Sequence, residues 1–177
     1  MIDEFSTRLS VRLVEKYPKE MPSLGITRYG IKFIISNVLP MLILLIIGLM
    51  FNLVSEIFIC LISFSSLRMV SGGYHAKEPE ICLLISTVTI VLIAKLGYIM
   101  SDYTMLLSLV SLILVLIYAP SNIENQTKIL VEHFKYLKMI SVLIIAIGFL
   151  TNNYLVISSL FVQSSLLIRL KGGEKFD

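Results

Sequence analysis

Charge is what this sequence has least of. Only 15% of its 177 residues are Asp, Glu, Lys or Arg, while 56% are hydrophobic. A soluble globular domain carries about 25% charged residues, so the deficit excludes an ordinary soluble fold and places the chain in the membrane class. The net charge is only +3 and no dense Lys/Arg tract occurs, so nucleic acid is not an expected partner. Cysteine is equally scarce. Cys60 and Cys82 are the only two, without a CxxC pair or a secreted-type framework, and both read as free thiols. Histidine is limited to His75 and His133. With no HExxH and no two-histidine cluster, no metal or other cofactor is expected, and neither GxSxG nor a P-loop is present. No cleavable signal peptide is expected either: the first apolar run begins near Ile31, behind a charged stretch with Asp3, Glu4, Arg8, Arg12 and Lys16. The apolar segments are therefore expected to remain in the mature protein.

What the chain does have is long apolar runs, at about Ile31–Met50, Leu53–Leu67, Ile81–Met100, Met105–Ala119, Met139–Leu150 and Tyr154–Leu170. A helix needs about 20 residues to cross the hydrocarbon core, with a lower limit near ~17. The first and third runs reach this alone; the second, fourth and fifth need flanking residues. The expectation is an all-α, polytopic membrane bundle of about six transmembrane helices. Pro40 lies within the first, where membrane helices tolerate a kink. Ahead of it, Ile2, Phe5, Leu9, Leu13 and Tyr17 recur at helical spacing until Pro18 and Pro22. That pattern fits an amphipathic helix on the membrane surface, or alternatively a cytoplasmic helix packed on the bundle. One domain results: a cytoplasmic amphipathic segment over 1–30, a transmembrane bundle over 31–170 and a cytoplasmic tail over 171–177.

The basic residues fix an orientation. With six spans, fourteen of the fifteen Lys and Arg residues fall on one side, in the N-terminal segment, the 68–80 and 120–138 loops and the tail. The exception, Lys95, lies inside a run. The opposite turns, around Asn52, Ser101–Thr104 and Thr151–Asn153, carry none. The positive-inside rule then makes both termini and the 68–80 loop cytoplasmic in a multi-pass cell-membrane protein.

Chemistry concentrates in one stretch, Arg68-Met-Val-Ser-Gly-Gly-Tyr-His-Ala-Lys-Glu-Pro-Glu-Ile-Cys82. Pro79 suits the first turn of a helix, which would put Cys82 in that turn, where the helix dipole and unpaired N–H groups favour thiolate. His75, just before the helix, could fold back as base and ion-pair partner on a loop made pliable by Gly72 and Gly73. The glycine N–H groups are candidate oxyanion donors. Each feature has a bland counterpart: a core cysteine, a Gly-Gly turn, a solvated loop histidine. The chemistry alone leaves both readings open.

Residues Arg68 to Cys82 resemble the signature of the accessory gene regulator protein B (AgrB-like) family, quorum-sensing peptide-processing cysteine endopeptidases of the bacterial cytoplasmic membrane. An arginine precedes Gly-Gly-x-His-Ala, and a cysteine follows the histidine by seven residues, matched here by Arg68, Gly72, Gly73, His75, Ala76 and Cys82. Chain length, multiple spans and a basic N-terminal region agree. The resemblance implies that Cys82 is the nucleophile and His75 the base, with Arg68 and the glycines supporting the site. It implies an AgrD-like propeptide as substrate, cut beyond its future ring and closed to a thiolactone or lactone, and a homodimer in the lipid bilayer. The precursor's acidic tail is then expected near Arg68 and Lys77. The rival reading is a non-enzymatic transporter or assembly subunit with the glycine loop as a turn. A transporter would show interrupted helices or mid-membrane charge, and Lys95 and Glu56 are the only charged residues well inside the runs.

Overall fold

The computed structural model describes residues 2–73, 79–121 and 133–168, the side chains of Pro79, Glu80 and Cys82 excepted. They form an all-α bundle: α1 (Ile2–Lys16), α2 (Leu24–Phe51), α3 (Val54–Ser71), α4 (Pro79–Leu96), a 3-10 segment (Gly97–Tyr103), α5 (Thr104–Tyr118), α6 (Phe134–Leu150) and α7 (Tyr154–Ser165). Every apolar run of the sequence has become a helix. Three helical stretches are long and apolar enough to cross a membrane by length and composition: Leu24–Phe51, Val54–Ser71 and the continuous Leu83–Tyr118. The last is divided by the 3-10 segment into α4 and α5. The remaining two apolar helices, α6 and α7, span 17 and 12 residues. Helix α2 runs through Pro40 and closes on Asn52 in the left-handed conformation (φ 55°). Helix α7 is opened by Asn153, whose side chain accepts the Leu155 N–H at 2.9 Å.

Helix ends gather into two groups. At one end Gly48 packs against Val54, and Gly97 packs against Tyr154 and Leu155. At the other, the backbone of Ser71 and Gly73 pairs with Ser121, and Gln163 bonds to Gly72. Helices α4 and α5 therefore run antiparallel, with the 3-10 segment as their turn. Helix α7 lies in the middle of the bundle, against α3, α4, α5 and α6. Glu56, in the first turn of α3, and Lys95, in the last turn of α4, both belong to the end away from the Ser71–Ser121 pairing. Lys95 extends over the Phe51 ring at 5.1 Å. Neither charge sits at mid-depth, which is where a transporter's intramembrane charge was expected.

The interior is small and polar in places where a soluble core would be large and apolar. Ser111, Ser141, Ser158, Ser159, Gln163 and Ser164 are all at most 1% exposed, whereas Phe58, Ile62, Leu109, Ile117, Leu143 and Leu150 are open on the outside. Most of these hydroxyls donate back to the carbonyl four residues earlier, as Ser111 does to Leu107 and Ser159 to Leu155. Small residues between helices and large ones facing outward are the pattern of packing in lipid, where apolar solvent gives helices no hydrophobic reason to associate. Two apolar patches complete the interior. One holds Leu44, Ile57, Cys60, Ile90 and Ile93, and the other holds Leu67, Val115, Ile145, Leu160 and Leu167.

Helix α1 folds back antiparallel along α2. Asp3 accepts from Arg28 Nη2 and Lys32 Nζ, both at 2.8 Å. The residues of α1 buried in this contact are Ser6 and Ser10, and Phe5 of the apolar stripe stays 60% exposed. The small face forms the seam because two helices approach most closely where side chains are short.

Candidate active site

Helix α3 ends in a corner that only glycine can make. Gly72 has φ 70° and ψ −138°, and Gly73 has φ 132°. A side chain is disfavoured at either angle. Gly73 also has no room for one: a Cβ there would lie 3.3 Å from Gln163 Nε2 and 3.3 Å from the Leu166 carbonyl oxygen. Both glycines are buried. The corner is held by backbone bonds on each side. Gly72 N–H donates to the Arg68 carbonyl, Gly73 N–H to the Ser121 carbonyl, and Ser121 N–H to the Ser71 carbonyl, at 3.0, 3.0 and 2.9 Å. The oxyanion role considered for the glycine N–H groups does not fit this arrangement, because both already serve the fold.

Arg68 lies one turn earlier, half-buried in the last turn of α3. Its Nη1 donates to Gln163 Oε1 at 3.3 Å, and its guanidinium stands over the Phe64 ring at 5.7 Å. Gln163 is completely buried and donates through Nε2 to the Gly72 carbonyl at 2.8 Å. Its orientation is forced, since guanidinium can only donate and a carbonyl can only accept. One amide of α7 thus joins the arginine and the glycine pair. Sequence reading missed it. The available signal was a glutamine inside the apolar run Tyr154–Leu170, since a polar side chain at that depth needs partners.

His75 and Lys77 lie outside the described residues. Cys82 belongs to the first described turn of α4, where Pro79 was expected to place it; its side chain is likewise outside. The structure therefore brings together Arg68, Gly72 and Gly73. Cys60 is elsewhere, fully buried among Leu44, Ile57 and Ile90. It is about 18 Å from the corner along α3, at ~1.5 Å per residue. His133, at the start of α6, is exposed with its ring tilted beside Tyr136 at 6.3 Å. Among the described residues no three His, Cys, Asp or Glu side chains cluster as metal ligands do.

The chain is 30% identical over 88 residues to an AgrB-like protein of Clostridium perfringens strain SM101, a match covering 50% of this chain and 41% of that protein. It is 28% identical over 127 residues to an AgrB-like protein of Clostridium acetobutylicum, covering 70% of this chain and 61% of the relative. The matched regions are thus less than two-thirds of the relatives' own length. No solved structure matches. The family model described as Accessory gene regulator B matches residues 6–170, nearly the whole chain, and on that ground the chain belongs to the accessory gene regulator B family.

Proposed function

We propose that this protein is a membrane cysteine endopeptidase that processes an AgrD-like autoinducer propeptide in quorum sensing, with Cys82 as nucleophile and His75 as base. The observation that carries the reading is the corner formed by Arg68, Gly72 and Gly73 in a chain of this family. It fixes the backbone two residues before His75, and α4 carries Cys82 in its first described turn. The positive end of that helix favours thiolate, and the imidazolium ion-pairs with it.

The chemistry runs in two transfers. The Cys82 thiolate adds to the scissile carbonyl. The C–N bond then breaks while His75 gives its proton to the leaving amine of the C-terminal tail, leaving a thioester on Cys82. An internal Cys or Ser of the same peptide, losing its proton to His75, attacks the thioester. The new ring bond forms and the Cys82 thiolate departs. Exchange of one thioester for another changes bond energy little, so the outcome depends on holding the acyl peptide folded and water away. The acidic tail lies near Arg68 and Lys77, whose charges orient it. Both termini and the 68–80 loop face the cytoplasm, and the enzyme acts as a homodimer in the bilayer.

The test is co-expression with the candidate propeptide and mass spectrometry of the products. Cys82→Ser and Cys82→Ala abolish cleavage without affecting membrane insertion, and Cys60→Ala, a change in the packed interior, retains it. Cleavage that survives in Cys82→Ala sinks the mechanism.

A further inference from the structure

We propose that Gln163 is a positioning residue of this site, holding the Gly72–Gly73 corner against Arg68 and so setting where the chain departs toward His75. The inference rests on the peptidase reading and adds to it a residue on a helix far from the motif in sequence.

Three observations support it. First, Gln163 is the one long polar side chain buried in α7, and it is fully enclosed. A buried primary amide without partners is costly, by roughly 1–3 kcal/mol for each group left unsatisfied, so this side chain is retained because its bonds are made. Second, both of its ends meet residues of the motif: Nε2 donates to the Gly72 carbonyl at 2.8 Å and Oε1 accepts from Arg68 at 3.3 Å. The other buried polar side chains of α7 do not act this way. Ser164 donates within its own helix, and Ser159 reaches Leu155 and the Cys60 thiol, away from the corner. Third, the contact is close enough to be shape-specific, since the Gly73 Cα presents its bare side to Nε2 and a Cβ would stand 3.3 Å away.

The consequence for the reaction is geometric. Among the described residues the Gly72 carbonyl is otherwise approached only by the Ser71 hydroxyl at a long 3.5 Å. Without the amide, the peptide plane between Gly72 and Gly73 loses its main restraint on that side. A catalytic base two residues downstream is then less well aimed, and a misplacement of about 1 Å is enough to cost a rate on the order of 100-fold. Gln163 is itself fully buried, so it offers no surface to a substrate.

The experiment compares full-length wild type, Gln163→Leu, Gln163→Glu and Ser159→Ala in nanodiscs with an AgrD-like propeptide, with rates expressed per folded molecule counted by size exclusion. Wild type must cleave; an inactive wild type means that the peptidase reading itself has failed, whatever the Gln163 variants do. Both Gln163 variants are expected to lose at least about tenfold in kcat with KM within about twofold. Glutamate has nearly the volume of glutamine and keeps an acceptor for Arg68, but as a carboxylate it offers no donor to Gly72. Its failure therefore isolates the bond to the corner. Ser159→Ala keeps its kcat. The proposal is overturned if either Gln163 variant retains kcat per folded molecule within about threefold of wild type. It is equally overturned if the whole loss in both variants is a loss of folded protein.

Discussion

Gly73 and Cys60 show what single residues contribute. Gly73→Ala forces a Cβ into a gap of 3.3 Å and a side chain onto φ 132°. Cleavage is expected to fall by more than tenfold. Gly30→Ala, with nothing near its added methyl and a helical backbone, should leave activity unchanged and add a little helix stability, ~0.5–1 kcal/mol. Equal effects from the two would remove the structural reason given for the glycine pair. At this scale the sequence was readable wherever residue type itself is diagnostic. Gly-Gly announced a corner, and Cys60 inside an apolar run announced a packed thiol. What it could not convey was who holds the corner. Gln163 and Ser121 reach Gly72 and Gly73 from distant positions, and such pairings arise only when helices assemble. The oxyanion role considered for the glycine N–H groups does not fit, because Gly72 N–H closes the last turn of α3 on Arg68 and the Ser121 acceptor of Gly73 comes into reach only in the folded chain.

Among the elements, the α1–α2 hairpin makes the clearest demand. The Lys32 ammonium, followed by the Arg28 guanidinium, holds the Asp3 carboxyl below its usual range. A carboxylate depressed in the folded state stabilises the hairpin fully above its unfolded pKa, near ~3.9. That contribution declines as pH falls below this value and is lost once pH passes through the lower folded pKa. These charges are solvent-exposed, so the effect is modest and sensitive to salt. Amide hydrogen exchange at neutral pH should show α1 exchanging a few-fold faster in Asp3→Asn, and faster in wild type at high salt, with α3 unaffected. Exchange in α1 that ignores both changes would mean that the Ser6 and Ser10 seam alone holds the helix. The helix itself was legible from its 3.6-residue period. Its seat was not. Periodicity marks the apolar face, whereas the face that docks is built from Ser6 and Ser10.

For the molecule as a whole, the six apolar helices fold as successive hairpins, which puts the Lys19 turn and the Asp102 turn at opposite ends. A membrane-impermeant thiol reagent added to intact cells should label Asp102→Cys and miss Lys19→Cys, each in a Cys60→Ala, Cys82→Ser background. The reverse pattern would invert the orientation drawn from the basic residues. The order of the helices was visible in run length, but where six spans were expected only three stretches among the described residues are long and apolar enough to cross a membrane. The interior was not visible, because in lipid the outside is as apolar as the inside, and the buried positions are marked by serine, glycine and glutamine. The length of α3 has one more consequence. Its 18 residues span about 27 Å at ~1.5 Å each, close to the ~30 Å of a hydrocarbon core. With Glu56 in its first turn and Arg68 in its last, a span of this length would put the corner at Gly72 where acyl chains give way to headgroups. Under the proposed function, a peptide adsorbed on the bilayer would already be at this depth, so the enzyme would find it by lateral diffusion, and the concentration that matters would be molecules per unit area. In vesicles containing both, adding lipid at fixed amounts of enzyme and peptide should slow cleavage in proportion to the added surface. A rate indifferent to lipid would mean that substrate arrives from the water instead.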